Sequence, residues 1–121
     1  MNNNNRFPEG SEADRLAKMQ MTTVERLRNA AERMQSIKDQ YQINRINAQS
    51  ETSNRREAEI SVAILKRQAL EELGKIRDEV MPLVANDNEM SDALYYSAQS
   101  IESSGTFANL VERYAESSES A

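Results

Sequence analysis

An all-α, elongated fold is what this sequence predicts, on three observations. Between Gly10 and Pro82 there is one glycine, Gly74, and no proline, so nothing local interrupts a helix over roughly seventy residues. Apolar residues in that stretch recur every seven positions. Leu, Ile, Val and Phe together supply only 22 of the 121 residues, a share close to that of chains that do not fold alone. So thin an apolar content cannot fill a large single core, and suits narrow stripes shared between helices, within an oligomer above all.

Residues 1–10, with the asparagine run 2–5 and Pro8-Glu9-Gly10, are expected to be a disordered tail. Ser11 can cap the helix that follows, with Glu12 and Asp14 favourably placed in its first turn. Thr22 with Glu25 matches a second capping box, an alternative start near Met19-Gln20-Met21. Asp14/Lys18 and Glu71/Lys75 have the acid-before-base spacing of helix surface pairs. With Leu27 as heptad position a, the later a positions are Met34, Tyr41, Ala48, Arg55, Val62, Ala69 and Ile76, and the d positions include Ala30, Ile37, Asn44, Ala58 and Leu65. Val24, Ala31, Leu73 and Val80 at e widen the stripe where d is weak.

The stretch from Gln42 to Glu57 is polar and divides two architectures. In one, a coiled-coil-like helix runs unbroken from Ser11 or Thr22 to Met81, with Asn44 and Arg55 as polar seam residues that set register. In the other, the chain reverses near 50–54 and Asn54 caps a second helix with Glu57 at its third position, so that Leu27, Met34 and Ile37 face Val62, Leu65, Leu73 and Ile76. The long helix is preferred, because the heptad phase is unbroken and the glycine or proline of a tight reversal is missing.

Pro82 is expected to end the long segment at Met81, followed by a linker over 82–90. Two short helices should occupy 91–116. Ser91 would cap the first, whose Met90, Leu94, Ala98 and Ile101 fall at helical spacing, with Gly105 as its stop. Thr106 starts the second, which presents Phe107, Leu110, Val111 and Tyr114 on one face. Segments this short need a docking surface, and residues 117–121 read as a flexible tail. Up to Met81 the chain holds 14 basic and 13 acidic residues; from Pro82 on it holds one basic residue, Arg113, and seven acidic ones. The net charge of −5 thus divides into a near-neutral helical segment and an acidic end.

Composition narrows the chemistry. With no His and no Cys, the commonest general base, the commonest metal ligand, thiolate chemistry and Cys/His zinc sites are all missing. Asp87-Asn88-Glu89-Met90-Ser91-Asp92 superficially resembles a calcium loop but has Asp92 where glycine is required and Ala98 where the bidentate glutamate belongs. The pairs Glu57/Glu59, Glu71/Glu72 and Asp78/Glu79 point to different sides of a helix and do not converge for acid–base work. Three isolated glycines make no phosphate cradle. No enzymatic activity, catalytic residue, cofactor or metal is expected. Arg45, Arg55, Arg56, Lys66 and Arg67 are interleaved with Glu51, Glu57 and Glu59, a pattern suited to ion pairs between helices, and nucleic-acid binding is not expected. The methionines read as core filling in preference to an adaptable groove. Of Tyr95-Tyr96, one ring should pack inward and the other face a partner or solvent.

The expected function is structural: a self-associating, homo-oligomeric helical component or scaffold of a larger complex with other protein subunits, a phage virion or a secretion machine being natural settings. Leu27, Met34, Ile37, Tyr41, Val62, Leu65, Leu73 and Ile76 are the candidates for self-association, and Phe107, Leu110, Val111 and Tyr114 for docking the C-terminal segment. The alternative is a small acidic adaptor, chaperone or inhibitor of one protein partner. No apolar run has the length of a membrane span and no Sec-type signal is seen, so synthesis in the cytoplasm, with or without incorporation into an assembly, is expected.

Overall fold

In the computed structural model, the backbone is described for residues 12–103 and 105–120, and side chains for 22–103 and 105–117. The tail expected over 1–10 and the Ser11 cap lie outside the described residues. Four α-helices account for nearly all of the rest, with no strand among the described residues: α1 (Glu12–Glu51), α2 (Arg55–Val84), α3 (Asn88–Gln99) and α4 (Thr106–Ser120).

The unbroken seventy-residue helix does not form, and there is no coiled coil among the described residues. The chain reverses at Thr52-Ser53-Asn54 without glycine or proline, because side chains do the work. Asn54 has an extended backbone, and its carboxamide oxygen accepts from the N–H groups of Arg56 and Glu57 at 3.0 and 3.1 Å. The Asn54 N–H in turn donates to the Thr52 hydroxyl at 3.0 Å. Glu57 meets that hydroxyl at 3.2 Å instead of bonding back to the cap backbone. Three orphan donors at the turn are thereby satisfied. Asn54→Ala should therefore destabilise the hairpin by about 1 kcal/mol, read as a lower urea midpoint with unchanged slope.

α1 continues through Thr22 with no break at Met19–Glu25, so the second capping box is unused. Pro82 does not stop α2, which runs on to Val84. A proline so near the C-terminus removes a single hydrogen bond, and continuing lets Val84 bury fully. The turn is thus shorter than the linker expected over 82–90. Asp87, not Ser91, caps α3, its carboxylate accepting from the Met90 N–H at 3.0 Å. Ser91 instead bonds the Asn88 carbonyl from within the helix. α3 ends at Gln99, and Ile101 is buried in the connection that follows. The Gly105 carbonyl accepts from Asn109 N–H at 2.9 Å, which makes Gly105 a start for α4 and not a stop for α3. α4 itself extends through Ser120, past the start of the tail expected at 117.

The helices pack up-down-up-down, each beside its neighbours in the chain and α4 closing back on α1. Arg33 pairs with Glu79 across α1 and α2, Arg77 lies over the Tyr95 ring of α3, and Arg28 pairs with Glu112 of α4. The core runs through this four-helix part: Leu27, Met34, Leu73, Leu94, Phe107 and Val111 are its largest fully buried side chains. It begins and ends abruptly. No residue from Gln42 to Gln68 is buried, although Tyr41 and Ala69 on either side of that span are. α3, with 12 residues, reaches only about 18 Å back along α2. The last quarter of α1 and the first half of α2 therefore project as a two-helix arm.

Candidate functional site

The arm is the part of the molecule whose surface the fold leaves unused. Ile43 and Ile46 on α1 and Ile60 and Ile64 on α2 are each between 42% and 57% exposed. Spacings of three and four place each pair on one face of its helix. Scattered surface isoleucines are ordinary, but four on a span of 27 residues with no buried position form a concentration that soluble monomers avoid. The arm holds five basic residues against three acidic ones, a net +2, whereas Asp87 to Ser117 holds six acidic and one basic, a net −5. Inside the arm the two helices meet poorly. Arg45 is half-buried and its Nε has no hydrogen-bond partner, the one such buried side-chain atom among the described residues. Val62 and Leu65 are half-buried at the edge of the core, and Leu65 shares a groove with the polar side chains of Gln40, Asn44 and Gln68.

A shallow groove follows the side of the hairpin that α3 and α4 leave open. Ile37, Tyr41, Leu65 and Ala69 form its floor, with Gln40 and Gln68 at its rim. Gln40 donates to Asn44 at 2.9 Å along that rim.

The seam residues expected to carry self-association are divided by the structure. Leu27, Met34, Tyr41, Leu73 and Ile76 are buried in the chain's own bundle, and their apolar surface is satisfied within one molecule. Ile37, Val62 and Leu65 stay half-exposed. Phe107, Leu110 and Val111 are buried and Tyr114 packs against them, in a cluster continuous with α1 of the same chain. Met34 and Met90 are core residues and Met81 packs on the core, while Met19 and Met21 have side chains outside the described residues. Tyr95 and Tyr96 both face outward, contrary to the expected inward ring. Tyr95 instead receives the Arg77 guanidinium 5.6 Å from its ring centre.

One charged residue was not expected inside. Lys38 is 5% exposed, and its ammonium donates to the Ser97 hydroxyl at 3.1 Å and the Ser103 hydroxyl at 2.8 Å, the Ser103 O–H in turn donating to the Ser100 carbonyl at 2.9 Å. It thus ties α1 to α3 and to the α3–α4 connection without a carboxylate partner among the described residues. The signal was in the e column: Val24 and Ala31 face the core, and Lys38 and Arg45 continue the same stripe. Burial pushes the Lys38 ammonium below the ordinary lysine value of 10.5. At neutral pH folded and unfolded chains both carry the proton, and the fold bears the desolvation cost. As pH rises past the lowered folded value the unfolded state binds more protons, so this cost is relieved towards 10.5. Lys38→Met should therefore stabilise the protein at neutral pH by about 1 kcal/mol. That advantage should shrink as urea titrations move to alkaline pH, and a variant less stable than the native chain at pH 7 would contradict the assignment.

Ten residues earlier on α1, Arg28 grips Glu112 with two hydrogen bonds of 2.9 Å each. That hydrogen bonding to Arg28 holds the Glu112 carboxyl below its usual range. No group of three or more carboxylates among the described residues could hold a metal ion. No helix among them is long and apolar enough to cross a membrane. No family model matches the chain, and neither a characterised protein nor a solved structure shows significant similarity to it.

Proposed function

We propose that this chain is a non-catalytic helical assembly protein, a subunit that self-associates as a repeated or scaffolding component of a larger complex such as a phage virion or a secretion machine. The observation that supports this reading is the arm: four exposed isoleucines on two helices that no other described part of the chain covers. Burying the exposed half of each gains roughly 1 kcal/mol apiece, a contribution that counts towards the cost of association together with the polar contacts around it. Sedimentation at micromolar concentration should show a mass well above 13.7 kDa. Ile46→Asp with Ile60→Asp should return it to the monomer with helicity intact, since both positions are surface. A native chain that stays monomeric over that range contradicts the reading.

The open groove favours the second reading, an adaptor that accepts one helix of a partner protein on the Ile37, Tyr41 and Leu65 floor. A monomer whose hairpin tolerates aspartate on the arm but loses a partner with Ile37→Asp would favour it.

A further inference from the structure

Along the outer surface of α2, Arg56, Ile60, Ile64 and Arg67 follow one another at spacings of four, four and three, and all four are exposed. These spacings stack side chains along one helix face, so an apolar pair is flanked at each end by an arginine. The ridge rises about 16.5 Å over its eleven steps. On α3, Glu89, Asp92 and Tyr96 recur at spacings of three and four, all exposed, with the exposed ring of Tyr95 beside them. The 12 residues of α3 give a helix of about 18 Å. The ridge on it, from Glu89 to Tyr96, rises about 10.5 Å over seven steps, so it fits within the longer arm ridge, and the two are opposite in sign. Tyrosine and arginine are also the side chains that most often carry interface energy, and Tyr95 already takes one guanidinium, that of Arg77, against its ring.

Within one molecule the ridges cannot meet. α3 lies beside the bundle end of α2, with Tyr95 next to Arg77, ten residues and about 15 Å beyond Arg67. We propose that the arm ridge of one copy docks on the α3 ridge of a second copy, head to tail. The contact is heterologous, so each added copy presents a fresh arm and the assembly continues into a ring or a filament. This inference rests on the self-association proposed above and adds its polarity.

Two charge-reversed chains test it: Arg56→Glu with Arg67→Glu on the arm, and Glu89→Lys with Asp92→Lys on α3. Circular dichroism should show native helicity for both, because all four positions are exposed. In sedimentation, each variant alone should associate on the order of a hundredfold more weakly than the native chain, and the native association should weaken as salt is added. Mixing the two variants in equal amounts should restore the higher mass, since each supplies the surface the other needs. A native chain that never associates overturns both proposals. Native association that survives in either variant, or is not restored in the mixture, overturns the head-to-tail contact and leaves assembly through the arm standing.

Discussion

Leu73→Ala is expected to remove about 3 kcal/mol of unfolding free energy, the largest loss from any single aliphatic truncation in α2. Leu73 is fully enclosed at 0% exposure, in the part of α2 that packs between α1 and α3. The substitution deletes three carbon-bearing groups from a site with no solvent path, so the transfer loss adds to that of a cavity that backbone relaxation fills only partly. The total available to a chain of this size is about 5–15 kcal/mol, and the buried side chains that supply most of it lie in the four-helix part. Urea unfolding followed by circular dichroism measures the change. The midpoint should fall with little alteration of slope, because the surface exposed on unfolding is nearly the same. A loss comparable to that of a surface substitution, under about 0.5 kcal/mol, would show that the bundle does not close around Leu73.

The reversal at residues 52–54 shows what can be read from a sequence of this kind and what cannot. The apolar stripes were legible on both sides of it, and both Tyr41 and Ala69 sit in the core where the seven-residue rhythm places them. The rhythm could not say whether the two stripes face another chain or each other. An unbroken heptad phase is as compatible with a hairpin as with a long helix, because each helix of a hairpin meets the other through its own stripe. The deciding signal was the cap, Asn54 with Thr52 and Glu57, whose hydrogen bonds supply what glycine supplies elsewhere. Absence of glycine does not forbid a reversal where capping side chains of this kind are present.

The candidate site was legible in part for a related reason. Ranking seam residues by apolarity selects the ones a hairpin buries in itself, such as Leu27, Met34 and Leu73. The isoleucines at 43, 46, 60 and 64 fall outside the a, d and e columns and so escaped the stripe, yet they are the ones left at the surface. Lys38 escaped because lysine is seldom buried; only its place in the column of Val24 and Ala31 indicated otherwise. The division of charge between the first part and the acidic end was read directly, and the fold gives it a geometry. The basic excess lies on the projecting arm and the acidic excess on the two helices packed at the other end.

Phe107→Ala should have the other large effect, about 3–5 kcal/mol, and where that loss falls distinguishes two ways the bundle is held. α4 has 15 residues, a length that is marginal for a free helix in water. It is held on α1 by the buried side chains of Phe107, Leu110, Val111 and Ala115, and by the Arg28–Glu112 pair, whose partners are 40% and 54% exposed. An ion pair so exposed contributes little, so the aromatic ring at the start of α4 is the main anchor. If α4 docks as a separate unit, losing the ring releases that helix alone. Amide exchange would then be fast throughout 106–117 while α1 and α2 retained their protection. Ser103, one of the two hydroxyls on the Lys38 ammonium, lies just ahead of α4. Its release would rehydrate the lysine and remove the alkaline gain in stability. If exchange instead accelerates together in all four helices, the bundle is a single cooperative unit and Phe107 is part of its common core.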